Sequence, residues 1–240
     1  MKPASETPAG MLETRAGSAY KERARRLAHR ALDPVTSFLH GLGIGPDHLT
    51  VTGLLISVVA AVVFMAGHFR HGAVLVALSG LCDVLDGELA RRSGRRSRFG
   101  EFLDSTLDRL SDGLVLAGIA GFYTVHLYEL VMDPAAAAAE IGRGLDPRVW
   151  AIVSLTAVLA LVGSFMVSYT RARAEGLGLE CKIGWFERPE RIVLLIVAAS
   201  FGVGRWMSLA LILLALLSFV TAAQRVAHIW KHTRGAGLDS

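Results

Sequence analysis

The residues with the clearest chemical potential lie between positions 83 and 108. The stretch "DVLDGELAR" runs from Asp83 to Arg91, and "GEFLDSTLD" runs from Gly100 to Asp108. In the first, Asp83, Asp86, Gly87, Ala90 and Arg91 fall at i, i+3, i+4, i+7 and i+8, which is one face of an α-helix. In the second, Gly100, Asp104 and Asp108 follow at four-residue steps and also share a face. Two antiparallel helices joined by a short loop would bring four carboxylates together: Asp83, Asp86, Asp104 and Asp108. Four such groups with no imidazole or thiolate form a hard, all-oxygen donor set. That chemistry favours Mg²⁺, Mn²⁺ or Ca²⁺ over zinc, and four charges suit two ions. Gly87 and Gly100 remove side chains beside the acids, and Ala90 does so more mildly. Arg91 offers paired donors to a phosphate. Acids, arginine and clearance together describe a site for a pyrophosphate.

The elements that must position these residues are apolar. The chain has 240 residues, of which 52% are hydrophobic and only 19% charged. A soluble domain of this length carries more charge. A membrane-crossing helix needs roughly 20 apolar residues, and six segments reach or approach that: about 48–68, 72–90, 102–127, 149–170, 191–204 and 206–228. The fifth is short and is extended by a helical approach from Pro189. Residues 132–147 read as the one long outer loop. Residues 17–42 read as an amphipathic helix on the membrane surface, with Leu27, Leu32, Val35, Phe38 and Leu39 opposite Lys21, Arg23, Arg25, Arg26 and Arg30. The polar start contains no apolar core of the kind a cleavable signal needs. The expected fold is therefore an all-α integral membrane protein, six transmembrane helices preceded by an amphipathic juxtamembrane helix. Its parts are a cytoplasmic N-terminus (1–42), a six-helix domain (43–231) and a C-terminal tail (232–240).

Charge placement orients the spans. Of the 25 Lys and Arg, 20 fall on the side holding both termini and the loops at 91–98 and 171–191. Four fall on the other side, and Arg109 lies inside a span. The basic side faces the cytoplasm, so the acidic segment opens to the cytosol of a cell whose inner membrane holds the protein. The net charge of +4 reflects this topology and anionic lipid. No interleaving of aromatic and basic residues points to nucleic acid.

The acidic stretch resembles the signature of the CDP-alcohol phosphotransferases, DxxDGxxAR, eight residues, then GxxxDxxxD. Here "DVLDGELAR" is followed by the eight residues Arg92 to Phe99 and then "GEFLDSTLD". The resemblance implies six transmembrane helices, a homodimer and a polar cavity facing the cytoplasm. It implies Mg²⁺- or Mn²⁺-dependent transfer of a substituted phosphate from a CDP-linked lipid to an alcohol, with CMP released. On that resemblance Asp83, Asp86, Asp104 and Asp108 hold two metal ions, and Asp108 is also the base that deprotonates the attacking hydroxyl. Gly87, Arg91 and Ser97 contact the CDP moiety, beside Ala90 and Gly100. The segment "GPDHLT" at 45–50 resembles the family's approach to the first span, with Asp47 where Asn is common. Asp47 and Thr50 are therefore candidate nucleotide contacts.

The acceptor must be read from the remaining cations. Ser168, Arg171 and Arg173 end the fourth span, Arg188 and Arg191 begin the fifth, and Arg225 lies toward the inner end of the sixth. Next to a pyrophosphate site they suggest an acceptor carrying its own phosphate. "SYTRARAE" and "ERPER" resemble segments of the phosphatidylinositol-phosphate synthases. That likeness implies CDP-diacylglycerol as donor and inositol 1-phosphate as acceptor, held by Ser168, Arg171, Arg173, Arg191 and Arg225. Glycerol 3-phosphate presents the same phosphate, so a phosphatidylglycerophosphate synthase is the chief alternative. Serine would leave the arginines unexplained. A divalent-cation transporter would place acids along a route across the bilayer, whereas these cluster at one end. An aspartate-rich prenyltransferase normally has two separated acidic motifs.

Overall fold

The computed structural model describes residues 33–39, 41–92, 97–142, 147–181, 183–184 and 186–235. Most of the amphipathic helix expected over 17–42, the middle of the 91–98 loop and the end of the tail lie outside them. Residues 33–39 are helical, with Thr36 fully buried. Seven longer helices follow: α1 (Pro46–Met65), α2 (Phe69–Arg92), α3 (Arg98–Met132), α4 (Pro134–Gly142), α5 (Pro147–Gly176), α6 (Arg188–Ser200) and α7 (Arg205–Gly235). No strand occurs among the described residues.

Four of these helices, α1, α3, α5 and α7, are long and apolar enough to cross a membrane, which makes the chain a membrane protein. The other two segments expected to span do not meet that measure of length and apolar composition, for physical reasons. Helix α2 has 24 residues, but it carries Asp83, Asp86, Glu88, Arg91 and Arg92 in its last ten. Helix α6 has 13 residues, about 20 Å of rise against a hydrocarbon core of about 30 Å. It starts at Arg188, with Pro189 in its first turn, and ends before Gly202 and Gly204, whose φ angles are +83° and +150°. Glycine enters that left-handed region at no steric cost, so the helix stops there.

The expected outer loop at 132–147 contains a helix instead. Residues 135–139 are five consecutive alanines, the residue with the highest helix propensity. Pro134 opens α4, and Asp133 Oδ1 accepts from the Ala135 and Ala136 amides at 2.9 and 3.2 Å. Proline and a capping aspartate are the usual devices for starting a helix.

The six longer helices pack pairwise into a closed ring: α1 on α2, α2 on α6, α6 on α7, α7 on α5, α5 on α3, and α3 back on α1. Consecutive helices α2 and α3 are thus not side-by-side neighbours as the sequence suggested; α1 lies between them. Small residues permit the close approach. A Cβ at Gly118 of α3 would sit 2.3 Å from the Ala61 carbonyl oxygen of α1. Across the α1–α2 seam, the Ser57 and Ser79 hydroxyls pair at 2.8 Å, and Ser79 donates to the Gly53 carbonyl at 2.9 Å. Such interhelical polar clasps are favoured where water is excluded. We expect Gly118→Ala to cost about 1–3 kcal/mol by overpacking. A lowered midpoint of thermal unfolding in detergent is the readout, and an unchanged midpoint refutes the tight seam.

Helix α3 has 35 residues, about 52 Å by its rise, so it exceeds the apolar layer by several turns. Its first turns carry Glu101, Asp104 and Asp108 beyond the aromatic-rich part of the core, where Phe64, Phe69 and Tyr123 pack edge to face. The candidate site residues therefore ride on one end of the ring.

Candidate active site

A cavity of about 320 Å³ opens at that end. All seven positions proposed from sequence to meet the nucleotide line it. Asp47 and Thr50 come from the first turns of α1. Gly87, Ala90 and Arg91 come from α2. Ser97 and Gly100 come from the start of α3. Local folding explains the last two: Ser97 is the N-cap of α3, and its hydroxyl accepts from the Gly100 amide at 2.9 Å. A Cβ at Gly100 would lie 3.1 Å from Ser97 Oγ and 3.4 Å from Asp47 Oδ1. The glycine thus keeps open the narrow space between α1 and α3. Gly87 does likewise beside Arg91, whose Nη1 would be 3.9 Å from an added Cβ.

The four signature aspartates divide into two pairs. Asp86 and Asp104 line the cavity. Asp86 is 5% exposed and accepts from the Thr50 hydroxyl at 2.8 Å, which ties α1 to α2. Asp83 and Asp108 turn instead to Arg188 at the start of α6. Its Nη1 lies 2.6 Å from Asp83 Oδ2 and 3.0 Å from Asp108 Oδ2, and its Nε lies 3.3 Å from Asp112 Oδ1. The pairs remain electrostatically coupled, since Asp83 interacts with Asp86, Asp104 and Asp108.

A divalent cation fits this donor chemistry. The set is all carboxylate, and a guanidinium shared by Asp83 and Asp108 shows that their oxygens are placed to flank one positive charge. Among the described residues, however, no three acidic, histidine or cysteine side chains converge as a ready-made ion cage. Oxygens of Asp86, Asp83 and Asp108 are instead engaged by Thr50 and Arg188.

The cations expected to hold an acceptor do not form one cluster. Arg191 is 4% exposed; its Nη2 reaches Asp112 Oδ2 at 3.2 Å, while Nε and Nη1 are buried without a partner among the described residues. Ser164 Oγ is in the same condition. Both residues line a cleft of about 20 Å³ with Asp112 and Arg188, and Ser168 lines a smaller one beside Asp112 and Arg109. Arg225 is 3% exposed, but its three nitrogens are engaged with the Ile183 carbonyl (2.8 Å), the Val167 carbonyl (2.6 Å) and Glu187 (3.2 Å). It fastens Ile183 and Glu187 to α5 and α7. Arg171 pairs along its own helix with Glu175 at 2.9 Å, and Arg173 is exposed.

Two members of the site have roles that were not assigned from sequence: Asp112 had none, and Arg188 was only one of the cations near the acceptor. Asp112 holds both α6 arginines, and Arg188 joins three aspartates. The signal for Asp112 was present: it adds one more four-residue step to Asp104 and Asp108. Arg188 lies one turn before Arg191, and a shared face was the only hint.

A model of the CDP-alcohol phosphatidyltransferase family matches residues 44–231. The archaetidylinositol phosphate synthase of Methanothermobacter thermautotrophicus is 39% identical over 214 residues, which cover 88% of this chain and 94% of that protein. Among solved structures, the Mycobacterium tuberculosis phosphatidylinositol phosphate synthase with CDP-DAG bound superposes with a TM-score of 0.69 at 32% identity, covering 84% of this chain and 94% of that one. The same enzyme in complex with manganese and citrate gives a TM-score of 0.67 at 32% identity, covering 82% and 88%.

Proposed function

The chain belongs to the CDP-alcohol phosphatidyltransferase family, and on that premise we propose that it transfers the phosphatidyl group of CDP-diacylglycerol to inositol 1-phosphate, giving phosphatidylinositol phosphate and CMP. One observation carries the reading. One cavity, between the first turns of α1, the end of α2 and the start of α3, is lined by all seven candidate nucleotide contacts and two of the four aspartates. The relatives support the acceptor: the archaetidyl and phosphatidyl enzymes differ by name in the lipid and share inositol phosphate. A manganese complex of one relative supports dependence on a divalent metal.

In this reading Asp83, Asp86, Asp104 and Asp108 hold two ions, Mg²⁺ or Mn²⁺. When bound, such ions neutralise charge on the pyrophosphate and on the departing CMP. The protein's own groups do the rest. Arg91 and the Ser97 turn hold the diphosphate in the space kept by Gly87 and Gly100. Arg191 offers its two unpartnered nitrogens to the acceptor's phosphate, and Asp112 fixes their direction. Asp108 removes the proton from the acceptor hydroxyl. The hydroxyl oxygen bonds to the phosphorus next to the diacylglycerol, the bond from that phosphorus to the bridging oxygen breaks, and CMP leaves with the electron pair. Holding both partners in line supplies much of the acceleration.

Six helices cross the membrane in this proposal, the site faces the cytoplasm of the inner membrane, and two copies form a homodimer. The 43–231 domain sits between the juxtamembrane helix and a short tail.

The test is to offer the purified protein CDP-diacylglycerol and Mg²⁺ with inositol 1-phosphate, glycerol 3-phosphate, inositol or serine. CMP release only with inositol 1-phosphate is expected. Equal or better turnover with glycerol 3-phosphate transfers the chain to the phosphatidylglycerophosphate synthases. A narrower test is Arg191→Ala. Losing charge-assisted bonds to a phosphate should raise the KM for the phosphorylated acceptor roughly 10- to 100-fold. The KM for CDP-diacylglycerol should stay within about threefold. An equal rise in both constants removes Arg191 from the acceptor site.

A further inference from the structure

Glu88 lies within the signature segment, but at one of its unspecified positions, and it carries no assigned role. It is 6% exposed, although it sits near the polar end of α2. A buried carboxylate needs partners to offset its lost hydration, and Glu88 has two arginines from the following turn. Its Oε2 accepts from Arg91 Nη2 at 2.7 Å and from Arg91 Nε at 3.3 Å. Its Oε1 accepts from Arg92 Nε at 3.4 Å. The two carboxylate oxygens therefore serve different arginines.

The geometry of the first pair has a consequence for the cavity. A guanidinium has three nitrogens in one plane. Glu88 engages Nε and Nη2, which fixes that plane. The remaining nitrogen, Nη1, is the one beside Gly87, and both Gly87 and Arg91 line the 320 Å³ cavity. Without Glu88, an arginine whose side chain is 40% exposed would sample many rotamers. Each binding event would then cost the entropy of selecting one.

We propose that Glu88 is a positioning residue for the CDP-lipid: it locks Arg91 so that Nη1 points into the space beside Gly87, where a diphosphate oxygen is received. The proposal rests on the functional reading above. Glu88 touches no substrate and acts through Arg91. The competing role is structural. Arg92 also reaches Asp33 and donates to Ser37 Oγ at 3.1 Å, so Glu88 could serve only to fasten the 33–39 helix to α2. The two roles separate experimentally because they use different arginines.

The experiment measures KM for CDP-diacylglycerol and for the acceptor, and the affinity for CDP by calorimetry, in the full-length protein. Glu88→Gln should raise the KM for CDP-diacylglycerol and the dissociation constant of CDP about tenfold. The acceptor KM and kcat should stay within about threefold. Arg92→Ala, which cuts the link to the 33–39 helix, should leave both CDP readouts within about twofold. In an Arg91→Ala background, Glu88→Gln should have no further effect, because its action passes through Arg91. Three results overturn the proposal: unchanged CDP readouts in Glu88→Gln, tighter CDP binding once the carboxylate's charge is gone, or equal losses in Arg92→Ala. A wild-type protein that binds CDP but releases no CMP from the lipid would instead sink the functional reading, while the calorimetry still reports on Glu88.

Discussion

Asp108→Asn should lower kcat roughly a thousandfold or more, the scale of a lost general base compounded by a lost metal ligand, while CDP-diacylglycerol still binds. The two halves of this expectation come from different observations. An alcohol is a poor nucleophile at neutral pH, and an amide cannot take its proton. The cavity proposed for the nucleotide, however, is lined by Asp86 and Asp104 and not by Asp108, so its walls survive the substitution. The local fold survives as well. Arg188 loses one of three acidic neighbours and keeps Asp83 at 2.6 Å and Asp112 at 3.3 Å. Radiolabelled CDP-lipid binding beside single-turnover CMP release distinguishes the outcomes. Turnover retained at more than a few per cent refutes the base assignment. Loss of binding along with turnover would mean that Asp108 supports the cavity itself.

The carboxylates were legible in the sequence because their signal is local. Asp83 to Arg91 and Gly100 to Asp108 repeat at helical spacing, and a helix converts such spacing directly into a shared face. The helices were legible for the same reason, since apolar blocks report on length. What stayed hidden depends on contacts between distant segments. Arg188 meets Asp83 across 105 residues, and no periodicity announces that. The arginines near the inner end looked alike in sequence, yet Arg191 keeps two buried nitrogens without a partner among the described residues while Arg225 is engaged by backbone carbonyls. Which fate an arginine meets depends on where Ile183 and Glu187 come to lie, and only the folded chain fixes that. The wedge of α1 between α2 and α3 was hidden too. It shows in the close approach of Gly118 to Ala61, a pair of small residues with no special signature of their own.

Stripping divalent cations should abolish turnover, and restoring Mg²⁺ or Mn²⁺ should recover it. The four aspartates stand at one end of a helical ring, in a chain only 19% charged, and Asp86 is 5% exposed. Uncompensated carboxylates in such a place are costly. Arg188 meets part of the demand at Asp83 and Asp108, but Asp86 and Asp104, which line the cavity, form no direct ion pair among the described residues. A diphosphate entering that cavity brings further negative charge against them. Arg91 alone, already paired with Glu88 at 2.7 Å, cannot balance it, so the substrate and the aspartates must share added cations. Hard oxygen donors also set an order of preference: Mg²⁺ and Mn²⁺ should restore activity, and Zn²⁺ should do so poorly. Titration of chelator-treated protein with Mn²⁺, followed by electron paramagnetic resonance, should give about two ions per chain. Asp86→Asn or Asp104→Asn should weaken that binding at least about tenfold. Full turnover in protein shown by elemental analysis to hold no divalent metal would contradict the charge argument at its root. One bound ion would leave the argument standing and correct the count.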